Sequence, residues 1–337
     1  MKKIVLLFMG LFICTSAYAY GPGYHIIKRI QVGGEGGFDY LQVDPGARRL
    51  YISREAHVMV LDIDTGKLAG DIQDTEGVHG IAIAPEFGRG FTSNGRANTA
   101  TIFDLKTLKV LGQVKTGQNP DCIIYDPASQ KVFTFNGKSH DATAFDAATG
   151  KVAGIISLGG KPEFAAADGN GKIFVNIEDK NEVVELDSMK LTVVNRFSLK
   201  PGEEPSGMAL DPKHHLVFSG CHNEMMTVLD TVTGKVIATI PIGKGVDANG
   251  YDPVTGLIFS SNGDGTLTVA RELSQGGFEV AETVQTQKGS RTMAIDTKTH
   301  DIYLTAARFS LPAQASADVK HRPEMIKGSF EVLVVGQ

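Results

Sequence analysis

Apolar residues fall in short runs along almost the whole chain. The runs are rich in Val, Ile, Phe and Thr and are cut by Gly, Pro, Asn and Asp. That pattern is the signature of strands, and apolar positions at helical spacing are missing. Four runs recur as a unit, typified by Val78–Pro85, Gly90–Asn94, Ala100–Leu105 and Lys109–Thr116. The residue that closes each first run marks the period: Asp44, Ala84, Asp126, Asp168, Asp211, Asp252 and Asp296, in steps of 40, 42, 42, 43, 41 and 44 residues. One such unit is too small to bury its own apolar faces, so a period of this length predicts an array of stacked units.

The turns repeat as well. Asp44-Pro45-Gly46, Asp126-Pro127-Ala128, Asp211-Pro212-Lys213 and Asp252-Pro253-Val254 separate first from second strands. The Asp accepts hydrogen bonds from its own turn and Pro presets φ for the next position. Third and fourth strands are joined by hairpins ending in Gly66-Lys67, Gly150-Lys151 and Gly234-Lys235, where Gly supplies a positive φ. There are seven first, seven second and seven third strands. Only six fourth strands follow a third: Lys67–Asp74, Lys109–Thr116, Lys151–Leu158, Thr192–Leu199, Lys235–Ile242 and Phe278–Gln285. The chain ends on a third strand, Phe330–Val335, and the missing partner stands at the other end, Tyr24–Val32. The reading is all-β: a seven-bladed β-propeller of four antiparallel strands per blade, in which strand 24–32 completes the C-terminal blade and closes the ring.

Second strands carry a recurring motif: Phe91-Thr-Ser-Asn94, Phe133-Thr-Phe-Asn136, Phe259-Ser-Ser-Asn262, Tyr303-Leu-Thr-Ala306 and Tyr51-Ile-Ser-Arg54. On these residues the chain resembles the YVTN-type (40-residue repeat) β-propeller family of exported bacterial proteins, part of the cytochrome d1-like propeller superfamily. The resemblance covers all seven blades. It implies the fold, and a binding role of unspecified ligand. The chain has no Trp, which sets it apart from WD40 propellers.

Residues 1–19 read as a secretory signal, with Lys2 and Lys3, an apolar run from Ile4 to Ile13, and the small-x-small site Ala17-Tyr18-Ala19. Cleavage after Ala19 predicts an exported protein, periplasmic in a two-membrane bacterium, with residues 20–337 as a single propeller domain, without a membrane anchor and monomeric. Without Lys2 and Lys3 the chain carries 31 basic against 38 acidic residues, or −7. That balance argues against a nucleic-acid partner, whose phosphates demand Lys and Arg. Cys122 and Cys221 fall in non-adjacent units, which predicts two buried free thiols.

Chemistry is sought in the register. Propeller first strands line the central channel. Five residues before each closing position stand Asp39, His79, Asp121, Glu163, Ser206, Asp247 and Arg291. Six of the seven are ionisable within otherwise apolar strands, which predicts a polar ring at the channel mouth. Four carboxylates, Asp39, Asp121, Glu163 and Asp247, are candidate ligands for a divalent cation such as Ca²⁺. Crowded carboxylates also raise one another's pKa. The same face gathers the loops between second and third strands, with Arg54, Arg96, Asn94, Asn136, His222, Asn262 and Arg308 as candidate contacts. The 23-residue connection 307–329 is far longer than its counterparts and is expected at the mouth as a lid or partner contact. The His214-His215 pair reads as a solvated turn, and Asp62-Ile-Asp64 and Asp168-Gly-Asn170 as turns rather than calcium loops.

The leading expectation is a non-enzymatic propeller that binds a protein or a small polar ligand on this face. The alternative is a metal-dependent hydrolase of the lactonase type using the acidic ring. A redox role with a haem- or quinone-type cofactor has His79 as its one axial candidate in the ring, and a nucleic-acid patch requires Arg54, Arg96, Arg291 and Arg308 together.

Overall fold

The computed structural model describes residues 23–310 and 324–337. The expected signal sequence 1–19 and residues 311–323 of the long connection lie outside the described residues. The described chain forms seven four-stranded antiparallel sheets. Blade 1 comprises Leu41–Asp44, Arg49–Arg54, His57–Asp62 and Leu68–Ile72. Blades 2 to 6 begin at Val78–Ala84, Pro120–Asp126, Pro162–Ala167, Pro205–Asp211 and Val246–Asp252, and each continues outward in chain order. Blade 7 is made of Met293–Ile295, Ile302–Ala306 and Glu331–Gly336, and its outer strand is His25–Gln31, with Ile30 opposite Val332. The N-terminal strand therefore closes the ring, as the strand count requires.

Burial follows position in the blade. Second strands such as Leu216–Cys221 are buried at every residue, because neighbouring blades cover both faces. Fourth strands such as Val152–Ser157 lie on the rim and keep only one fully buried residue, here Ile156. The core is accordingly seven apolar clusters, each between adjacent blades. The seam between blades 7 and 1 is packed like the rest, with Tyr303, Phe330 and Val332 against Leu41, Leu50 and Ile52.

On the face away from the mouth, turn residues latch blades together. Arg48 Nη1 of blade 1 donates to Asp296 Oδ2 of blade 7 at 2.5 Å, and His300 Nδ1 of blade 7 lies 2.8 Å from Asp252 Oδ2 of blade 6. Both latching residues stand four positions after their own turn Asp and adopt positive φ, 56° for Arg48 and 66° for His300. Blades 2 and 6 place Gly88 and Gly256 there, which take that conformation without strain but carry no latch. Cys122 and Cys221 are buried and unpaired, in blades 3 and 5.

The Asn that ends several second strands has a structural job. Asn94, Asn136 and Asn262 are fully buried, and their Nδ2 atoms donate to Thr101, Thr143 and Thr268 on the adjacent third strands at 2.8, 3.1 and 3.1 Å. Blades 4 and 7 change both members, with Ile177 and Val184, and Ala306 and Leu333, at these positions, whereas blade 5 has Cys221 and keeps Thr227, whose hydroxyl donates to the Ser219 carbonyl. In blades 2, 3 and 6 the buried amide and its threonine partner satisfy one another.

Candidate functional site at the channel mouth

Each first strand runs inward from the mouth, so its opening residue stands at the channel entrance. His79 Nδ1 of blade 2 lies 2.7 Å from Asp39 Oδ2 of blade 1 and 3.7 Å from Asp121 Oδ1 of blade 3. These three side chains offer donor atoms within 4.8 Å of one another. Across the ring, Arg291 Nε of blade 7 lies 3.0 Å from Asp247 Oδ2 of blade 6, and Ser206 Oγ of blade 5 donates to Asp247 Oδ1 at 3.4 Å. Glu163 of blade 4 pairs with Lys161 Nζ at 2.6 Å, and the same ammonium also contacts Glu178.

The ring holds more negative than positive groups. Asp39, Asp121, Glu163, Asp247 and Glu178 face His79, Lys161 and Arg291, five carboxylates against three cations. Burial pushes Asp121 up to about 6; the His79 charge opposes this and Asp39 adds to it. Glu163 rises to about 8 through burial and the neighbouring Asp121 charge, with Lys161 opposing. Asp247 is pushed up to about 6 by burial, held back by Arg291 and raised further by Asp39 and Asp121. For His79, burial alone lowers the pKa. The hydrogen bond to Asp39 and the surrounding carboxylates outweigh it and lift the imidazolium to about 9. His79 is therefore protonated at neutral pH and bridges two carboxylates.

Buried second-strand side chains hold this ring in place from the blade before. Ser93 Oγ of blade 2 donates to the Asp121 carbonyl, Ser261 Oγ of blade 6 to the Arg291 carbonyl, and Asn176 Nδ2 of blade 4 to the Ser206 carbonyl at 2.8 Å. Gly95 makes room for the imidazole, since a Cβ there would stand 2.7 Å from His79 Nε2. One residue deeper than Asp39 and Glu163, the rings of Tyr40 and Phe164 meet across the channel with centroids 5.1 Å apart. A separate cavity of about 440 Å³ is lined by Gln42, Ile83 and Ile124, further along the first strands.

From the ring, a cavity of about 560 Å³ extends outward over blades 1 to 3. Its axial end is Asp39 and His79, its outer wall Arg96, Asn98, Gln118, Asn119 and Lys138, and Phe38 contributes an apolar side. Phe38 in turn packs against Phe309 and Phe330, with centroids 6.5 and 5.2 Å away. The described ends of the long connection sit here: Phe309 bridges to Met325, and Ser310 N donates to the Glu324 carbonyl.

Several expected contacts stand elsewhere. Arg54 is fully buried, where burial lowers its pKa to about 10. It occupies the second-strand position that other blades give to Asn, stacks on Phe330 at 3.8 Å, and donates to the carbonyls of Gly33, Glu35 and Gly36. Its work is to hold the segment after the N-terminal strand, so it is not free to meet a ligand. Asn94, Asn136 and Asn262 are likewise spent on their Thr partners. Arg96 is exposed and lines the cavity beside Glu55, 3.3 Å away. His222 lies at the surface 3.3 Å from Glu204, and Arg308 is exposed at the base of the long connection. His214 and His215 stand in an exposed turn, as expected, and His214 Nδ1 lies 2.6 Å from Asp211 Oδ2.

Lys161, Tyr40, Phe164 and Lys138 escaped the sequence reading. Lys161 is legible as two residues before Glu163, hence on the same side of an extended chain. The floor is legible in register too. The positions after the ring residues are Tyr40, Gly80, Cys122, Phe164, Gly207, Ala248 and Thr292. Five small residues surround two aromatics, which is the composition that lets two rings meet on the axis. No protein-family model matches the chain, and no curated protein sequence is significantly similar to it.

Proposed function

We propose that this propeller is an exported binding protein of the YVTN type, which engages a small polar ligand or a protein partner at the channel mouth. The observation that carries the reading is the juxtaposition of a charged ring with an open cavity of about 560 Å³ that Asp39, His79 and Phe38 line. A structural ion-pair network alone has no need of an adjoining cavity, and perturbed carboxylates in a cleft mark candidate sites. The test is native mass spectrometry of protein recovered from its own compartment, as wild type and as Asp121→Asn. A retained mass that the variant loses at unchanged melting temperature supports the reading; identical masses for the two count against it. Cleavage after Ala19 belongs to the same proposal, and N-terminal sequencing of that sample checks it.

A metal-dependent hydrolase is the second reading, favoured by the Asp39, His79 and Asp121 cluster within 4.8 Å. A divalent ion there would displace the proton from His79 and activate water. Elemental analysis before and after chelation, with lactone hydrolysis as the assay, decides it.

A further inference from the structure

The two ends of the mouth cavity differ in chemistry. At the axial end stand Asp39 and His79, with Asp121 3.7 Å from the imidazole, two carboxylates against one cation. The outer wall is rich in hydrogen-bond donors: the amides of Asn98, Gln118 and Asn119, and the exposed ammonium of Lys138. Arg96 also lines this wall, but its guanidinium already faces Glu55 at 3.3 Å and Glu76 at 3.8 Å. Lys138 has no carboxylate within 4.0 Å among the described residues. A bare metal ion would use only the axial end, and a diacid or a diamine would satisfy one end and be repelled at the other.

We propose that the cavity takes a small zwitterion, a molecule of amino-acid type whose ammonium sits at the Asp39–Asp121 end and whose carboxylate meets Lys138 and the amide wall. The inference rests on the reading of the channel mouth as a binding site and names the ligand class for it. Phe38 lines the same cavity beside Asp39 and supplies ring surface toward which an alkylammonium is attracted.

The experiment is isothermal titration calorimetry of the full exported chain at pH 7.5 with a graded series of probes: glycine, 4-aminobutyrate and 6-aminohexanoate. Controls are butylamine, butyrate, hexylamine, hexanoate and calcium chloride. The expected result is that at least one amino acid binds ten or more times tighter than the amine and the carboxylate of its own length. Asp121→Asn should weaken both that amino acid and its amine about tenfold. Lys138→Met, at an exposed position that leaves folding intact, should weaken the amino acid severalfold and leave the amine unchanged. Equal binding of amine and amino acid would overturn the proposal. Calcium binding that Asp121→Asn abolishes, with no amino acid bound, would overturn it too, while the mouth reading would stand. If no probe binds, the zwitterion is wrong, and the retained-mass experiment decides the mouth reading separately.

Discussion

Glu163 is an acid and His79 a base, yet both make stability fall as pH rises. Glu163 has its folded pKa raised to about 8, so the folded protein holds a proton that the unfolded chain gives up near its ordinary value. Its contribution is full below that ordinary value and is lost as pH rises through about 8. His79 is raised to about 9 by its carboxylate neighbours, so its contribution is full below the ordinary imidazole range and is lost through about 9. The wild type is therefore expected to lose melting temperature steadily between pH 5 and pH 9. Glu163→Gln keeps an oxygen for Lys161 and removes the charge, so its melting temperature should fall less over that interval. Thermal melts at constant ionic strength check this, and parallel curves for the two proteins would contradict it. The Asn–Thr pairs give a second prediction at this scale. Asn94→Ile alone strands the buried Thr92 hydroxyl, which donates to Asn94 Oδ1 at 2.8 Å, and should cost about 2 kcal/mol. The triple change Thr92→Val, Asn94→Ile and Thr101→Val copies Val175, Ile177 and Val184 of blade 4 and should recover most of the loss, as read by urea midpoints followed by circular dichroism.

At the scale of the strand, local pattern and partner agree almost everywhere, which is why the fold was legible. Turn Asp, hairpin Gly and short apolar runs are each local signals, and their repetition made a misread strand improbable. The strand His25–Gln31 was found by counting, since it is a fourth strand separated from its third by most of the chain. The register also placed Asp39, His79, Asp121 and Glu163 at one mouth. It failed at Arg54 and at the Asn residues because a loop residue and the last residue of a strand look alike in sequence. Only the pairing Asn94 with Thr99 shows that Asn94 is still inside the sheet. It missed Lys138 because cavity shape depends on how blades lean together. The strand itself yields a test. Removing residues 20–32 uncovers the Glu331–Gly336 edge and the apolar side of Ile30's neighbours. The truncated protein should lose soluble yield and its cooperative melt, and a synthetic peptide of residues 20–32 should restore part of both. An unchanged melt would show that blade 7 stands on three strands.

For the molecule as a whole, closure changes how damage spreads. In an open array each unit leans on its neighbours, the ends fray, and a local defect can melt separately. Here every blade has two neighbours and the seven interblade clusters run around the ring without a free end. The seam between blades 7 and 1 joins segments from opposite ends of the chain. It carries the Arg48–Asp296 latch, whose carboxylate is fully buried. Arg48→Ala leaves that carboxylate without its cation and should cost about 3 kcal/mol. His300→Ala breaks a more exposed latch between blades 7 and 6 and should cost less, about 1 kcal/mol. Because the ring is closed, the Arg48→Ala loss is expected as a single unfolding transition moved to lower urea, with unchanged steepness. The chain has no Trp, so far-ultraviolet circular dichroism with tyrosine fluorescence is the suitable pair of probes. Coincident curves would show that the seam shares the stability of the whole ring. An early separate transition confined to the variant would show that blade 7 and the N-terminal strand unfold on their own, and that closure adds packing without cooperativity.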